Sequence, residues 1–244
     1  MRLAVVTMVY NEHILWPLFL LHYIPRVHSI HVLLDTDSDP AFLKAVRDST
    51  PAVSVYDHRF PDGMDDFIKQ NAINALAETL DATWILAVDA DEFVWPELGE
   101  PPPGIAYQIP FVTVYRHRSD DDLDLSREPL FQRRHGDPLV GRAYGRREFI
   151  KPCLVRREFA RWLPGCHALE NPGVPVIPFG QHPWRGVHWC MADPSFVIER
   201  RIRGRRDRMS AVNKMFRLTV QHQEITEESV RAELEAHLDD PQLF

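Results

Sequence analysis

The chain has 244 residues, 45% of them hydrophobic and 26% charged, enough to bury one substantial core. Its formal charge of -7 argues against nucleic acid as a partner, because phosphate backbones call for a positive surface. No apolar run reaches the ~18 residues of a spanning helix. Cys153, Cys166 and Cys190, lacking CxxC spacing, predict buried reduced thiols in a cytoplasmic protein rather than a disulfide framework.

The first hundred residues alternate strand and helix signals. "LAVVTMVY" is an apolar, β-branched run suited to a strand covered on both faces, and Asn11 and Glu12 close it without a cleavage site. "HILWPLFLLHYI" has helical spacing, with Pro17 tolerable only in a first turn. "SIHVLLD" predicts a second strand, "PAFLKAVRDS" a helix, "AVSVYD" a third strand, and "MDDFIKQNAINALAETL" a helix with an acidic start. "TWILAVDA" is the fourth strand. This order predicts an α/β fold with a mostly parallel central sheet flanked by helices.

After Glu92 the texture is irregular. The proline-rich "WPELGEPPPG" reads as loop, "IAYQIPFVTVYRHR" and "REFIKPCLVRREF" as strands, and the stretch after Pro194 as helical. "TEESVRAELEAHL" has a Thr-x-x-Ser start and an acidic first turn. We expect a single domain: a nucleotide-binding half over 1–95, a second half over 96–210 that completes the site, and a helical tail over 211–244.

"ILAVDADEFVWP" places Asp89, Asp91 and Glu92 where a buried strand ends. Ligands of open α/β sheets bind beyond the carboxyl ends of the strands. Alternate residues of extended chain point the same way, so Asp89 and Asp91 can face one ligand. Two neighbouring carboxylates repel, and a hard divalent cation offsets that cost. The competing account is a helix cap with solvated neighbours. A strand-end carboxylate adds little to a core, so replacing Asp91 should spare the fold.

"TMVYNE", "LLDTDSD", "KQNAINAL", "WILAVDADEF", "FIKPCLVR", "GCHAL" and "VHWCMADPSFVIERRIRG" together resemble the GT-A glycosyltransferases of the family 2 type, in the subgroup whose acidic motif reads Asp-x-Asp-Glu-Phe. The resemblance runs from residue 2 to about 206. It implies a GT-A, Rossmann-like fold, a UDP- or GDP-sugar donor, and Mn²⁺ or Mg²⁺ held by Asp89 and Asp91. It also implies nucleotide contacts from Asn11, Glu12, Asp35, Gln70, Asn71 and Asp89. The segment "LDTDSDP" departs from the family by lacking a glycine.

His188 matches the family's His-aromatic pair and is the expected third metal ligand, with His167 in reserve; imidazole suits Mn²⁺ better than Mg²⁺. Arg200–Arg206 forms a local basic stretch. Its rival readings are a solvated helix face, a diphosphate clamp that includes Arg203, and contact with anionic lipid at the inner face of a membrane. Trp162, Trp184 and Trp189 offer either sugar platforms or core. The expected reaction is transfer of a sugar to a hydroxyl of a glycan or other acceptor, with inversion, and the base drawn from Glu170, Asp193 and Asp137. Two alternatives stand beside it. A metal-dependent nucleotidyltransferase is disfavoured by the absence of glycine in "MVYNEHILW"; the other is a non-catalytic nucleotide-sugar binding protein.

Overall fold

The expected strand–helix alternation is what builds the front of the molecule. A computed structural model describes residues 2–95, 103–136, 142–143, 147–148, 150–216 and 225–243. In order, these form β1 (Leu3–Val9), α1 (Leu15–Tyr23), β2 (Ser29–Asp35), α2 (Pro40–Arg47), β3 (Val53–His58), α3 (Asp66–Thr79) and β4 (Trp84–Ala87). There follow β5 (Glu92–Trp95), β6 (Ala106–Tyr115), β7 (His135–Gly136), β8 (Arg142–Ala143), β9 (Arg147–Glu148), β10 (Ile150–Arg156), β11 (Val176–Ile177) and β12 (Arg185–Met191). The chain closes with α4 (Pro194–Ile198), a π-helix (Glu199–Arg206), α5 (Ala211–Met215) and α6 (Glu227–Ala236).

The main sheet runs β3-β2-β1-β4-β10-β6-β12-β5, with β7 and β11 also paired to β6. It is parallel across β3, β2, β1 and β4. Beyond β4 it is mixed: β10 lies antiparallel to both β4 and β6, β12 parallel to β6, and β5 antiparallel to β12. A strand thus starts at Glu92, immediately after the acidic motif, where the competing account placed a helix.

The period of two along β1 divides the core. Leu3, Val5 and Val9 pack with Leu15, Leu18 and Phe19 of α1 and with Phe42 and Val46 of α2. Ala4 and Val6 face the opposite way, onto Ile73, Leu76 and Ala77 of α3. Each fully buried side chain of this size is worth roughly 1.5–3 kcal/mol, so the parallel half is a rigid platform. Pro17 sits in the first turn of α1 as expected, and α2 starts on an Asp39 cap that accepts from the Phe42 amide at 2.9 Å. The three cysteines are buried and free. Trp162, Trp184 and Trp189 are all buried, so they are core rather than sugar platforms. No helix among the described residues is long and apolar enough to cross a membrane.

Candidate functional site

Beyond the carboxyl ends of β1, β2 and β4 lies a pocket lined by Tyr10, Glu12, Asp35, Lys69, Asp89, Arg200, Arg205 and Arg208 among others. The acids come from the loops that leave parallel strands. Asp35 ends β2, is almost fully buried, and accepts from the Asp37 amide at 3.0 Å and from Arg208 at 2.8 Å. The Arg208 guanidinium lies 3.5 Å from the centroid of the Tyr10 ring, a close cation–π contact.

The acidic motif divides its work. Asp89 ion-pairs with Lys69 at 2.6 Å and with Lys151 of β10 at 3.5 Å. Glu92 is buried, pairs with Lys151 and accepts from the Asp89 amide at 3.0 Å. The Asp91 side chain is fully buried; one oxygen meets Arg200 and lies 3.2 Å from Nε2 of His188. Its other oxygen has no hydrogen-bond partner among the described residues. Arg200 also reaches Glu12, at 2.7 Å.

These contacts set the ionisation. Burial resists charge on Asp91, but Arg200 and His188 outweigh it and hold the carboxyl well below its usual range. Burial also opposes an imidazolium at His188, yet the neighbouring Cys190 and Asp91 push its pKa up to about 10. Burial raises the Glu12 carboxyl despite the pull of Arg200. His167, desolvated and facing Lys151, falls to about 4 and is neutral at pH 7.

The basic segment is aimed by two local features. Its π-helical i→i+5 pitch brings Arg200, Gly204 and Arg205 to the pocket, while Arg201 faces the other way, onto Glu233 of α6. At its end, the Met64 amide donates to the Arg208 carbonyl at 2.7 Å and the Ser210 amide to the Met64 carbonyl at 2.9 Å. Gly63 makes that pairing fit: its φ is +90°, and a Cβ there would lie 2.4 Å from the Arg208 carbonyl oxygen. The Asp65 cap of α3 accepts from Ser210, and Asp66 exchanges hydrogen bonds with Asn213.

The sequence-derived residues are therefore brought together in part. Glu12, Asp35 and Asp89 line the pocket, and Asp91 and His188 meet beneath Arg200. Asn11 instead holds the Asp39 amide at 2.8 Å, from a left-handed φ of 50°. Gln70 turns to the core, bonding Asn74 and Cys166, and Asn71 is exposed on the same helix. The α3 residue that reaches the pocket is Lys69, one position earlier. Arg203 points to solvent and pairs with Glu199 four residues back; Arg200, Arg205 and Arg208 take the place expected for it. Glu170 is exposed and paired with Arg161, Asp193 is buried against Arg133, and neither lines the pocket. Asp137 lies outside the described residues. The expectation that replacing Asp91 spares the fold is corrected by its burial: removal would leave His188 without its carboxylate partner and Arg200 with Glu12 alone.

Sequence reasoning missed Lys69, Lys151 and Arg208 as pocket or motif partners, and within the basic stretch it singled out Arg203 where Arg200 and Arg205 line the pocket. Of the missed residues, Lys151 carried a signal, as the charged residue inside the otherwise apolar run "FIKPCLV".

Among the described residues, the group that meets metal-ligand spacing is His117, Asp120 and His135, with one ligand atom from each within 4.8 Å of the others. It lies outside the pocket lining, and its two imidazoles stack at 4.0 Å. Asp91 and His188 would also fit a divalent cation that displaces the proton Cys190 and Asp91 hold on His188. Their facing atoms are 3.2 Å apart, the separation of neighbouring ligands on one ion with bonds of ~2.0–2.3 Å, and the second Asp91 oxygen is unpartnered. Asp89 fits less well, as its two oxygens face Lys69 and Lys151.

No family model and no curated protein matches the chain. Among solved structures, HddC from Yersinia pseudotuberculosis complexed with GMP-PN aligns over 80% of this chain and 96% of its own, at 11% identity and a TM-score of 0.42. S. aureus TarS 1–349 aligns over 98% of this chain and 80% of its own, at 10% identity and a TM-score of 0.40. TarS 1–349 in complex with UDP aligns over 64% and 47%, at 13% identity and a TM-score of 0.33. Likenesses this distant leave the chemistry to be argued from the pocket itself.

Proposed function

We propose that this chain is a glycosyltransferase that takes a sugar from a nucleoside-diphosphate donor and passes it to an acceptor hydroxyl with inversion. The observation that carries the reading is the pocket's charge. In a chain of net charge -7, four cations (Lys69, Arg200, Arg205 and Arg208) converge beyond the ends of parallel strands, against Glu12, Asp35 and Asp89. That arrangement suits a bound diphosphate, because guanidinium forks match phosphate oxygens. Asp35 would hold the ribose or base, with the Tyr10 face beneath it once Arg208 turns toward phosphate.

Asp91 and His188 would hold Mn²⁺ or Mg²⁺, which when bound supplies Lewis-acid stabilisation of the departing diphosphate. Arg200 and Arg205 supply fixed positive charge for the same oxygens. Lys69 and Lys151 keep Asp89 ionised and oriented. Of the three base candidates, Glu170 is the solvent-accessible one among the described residues and would serve if its loop turns toward the sugar.

The basic segment supports the diphosphate over a lipid surface. Arg200 and Arg201 are buried, and Arg206 caps the Ile225 carbonyl at 2.9 Å, which leaves little of it to meet a membrane. The test is thermal stabilisation and slow hydrolysis of UDP-, GDP- and other nucleotide sugars, with and without Mn²⁺. Stabilisation by a nucleotide sugar but not by the bare sugar supports the reading, and indifference to every nucleotide overturns it.

A further inference from the structure

We propose that Arg200 stands in for the divalent cation at Asp91, so that metal and diphosphate must bind together. The inference rests on the reading of the pocket as a diphosphate site. One Asp91 oxygen carries both Arg200 and His188, while the other has no hydrogen-bond partner among the described residues. Arg200 is held from its other side by Glu12 at 2.7 Å, and its side chain is only 8% exposed. A doubly charged ion at Asp91 and His188 would therefore sit beside a guanidinium that water barely screens, and like charges repel steeply there.

A diphosphate changes this balance. Arg200 borders the pocket, so phosphate oxygens entering it offer the guanidinium a new anion. With Arg200 drawn toward phosphate, the Asp91 oxygen it occupied becomes available to the ion. Metal alone meets repulsion, and diphosphate alone meets an arginine already engaged. Each ligand then raises the affinity of the other by the same factor. Such an exchange would keep the protein from loading metal in the absence of donor.

The experiment titrates Mn²⁺ into the full chain, alone and with saturating pyrophosphate, UDP or GDP, corrected for Mn²⁺ held by the free diphosphate. We expect Mn²⁺ to bind about tenfold or more tightly with diphosphate present, within the ordinary range of coupling. Arg200→Gln should tighten Mn²⁺ alone by a similar factor, weaken diphosphate and erase the coupling. Arg200→Lys, which retains the charge, should leave Mn²⁺ alone weak. Equal Mn²⁺ affinity with and without diphosphate overturns the inference, as does an Arg200→Gln variant whose metal affinity is unchanged. Should that variant fail to fold, the paired wild-type titrations decide. Failure of the functional reading looks different: no diphosphate compound binds with or without Mn²⁺, and the metal affinity of Arg200→Gln still reports on Arg200.

Discussion

The two halves of the sheet contribute opposite charges to one place. The parallel half, β1, β2 and β4, delivers Glu12, Asp35, Asp89 and Asp91 in the turns that leave its strands. Apart from Lys69 on α3, the answering cations come from the mixed half and the chain that follows it: Lys151 on β10, then Arg200, Arg205 and Arg208. Acids sit on a rigid, hydrophobically anchored platform. Cations sit on elements whose own hold on that platform is partly the ion pairs themselves. The difference teaches that pocket and fold are not separable here, since the charges that would bind ligand also join the halves.

The strongest way to break that coupling is Asp91→Ala. It removes the carboxylate from buried His188 and leaves buried Arg200 with Glu12 alone, and loss of one partner of a buried pair costs about 3–5 kcal/mol. Urea unfolding should show the loss as a lower midpoint; a midpoint within error of wild type would mean the halves are held by packing alone. Lys151→Met should cost about as much, by stranding Glu92 and loosening Asp89. The double variant Lys151→Met/Glu92→Leu should recover part of it, because an apolar pair of similar size often replaces a buried ion pair without loss.

Gly63→Ala probes the join rather than the charges. With φ at +90° and no room for a Cβ against the Arg208 carbonyl, it should cost more than ~1 kcal/mol and weaken diphosphate binding through Arg208. Equal binding of pyrophosphate by the variant and wild type would detach Arg208 from the site. A pH series in metal-free buffer tests the coupling without mutation. The folded pKa of His188, about 10, lies above its unfolded value near ~6.5. Its contribution is therefore complete below pH ~6.5 and is lost as pH rises toward 10. His188→Gln should flatten the alkaline limb of the unfolding midpoint, and an unchanged limb would reject the pair. The smallest effect belongs to Arg203→Ala, which should lie within about 0.5 kcal/mol of wild type and leave nucleotide binding unchanged.

The parallel half was legible because its signals are local: the runs at β1 and β2, the Asp39–Pro40 start of α2, and an acidic motif placed by the strand before it. Asp91 could be singled out on that basis, whereas Glu12 and Asp35 were named through the family resemblance. Gln70 and Asn71 lie one and two residues past the pocket-facing position, and since each step rotates a side chain by about a quarter turn, Lys69 is the pocket residue. Arg203 was misplaced for a related reason. A sequence gives no sign of π winding, which alone decides that Arg200 and Arg205 share a face. Arg208 depends on a contact between residues 63–64 and 208–210, and no single-sequence pattern reports a pairing so distant.

That pairing also bears on how the protein is made. The strands carrying the acids leave the ribosome more than a hundred residues before the arginines that neutralise them, as the 147-residue span between Asp66 and its partner Asn213 illustrates. Until the later segment emerges, Asp35 and Asp91 lack the guanidinium each pairs with when folded. A nascent chain halted between β12 and Arg200 would therefore keep its acidic turns hydrated and open, and closure of the pocket would wait for the segment from Arg200 to Arg208.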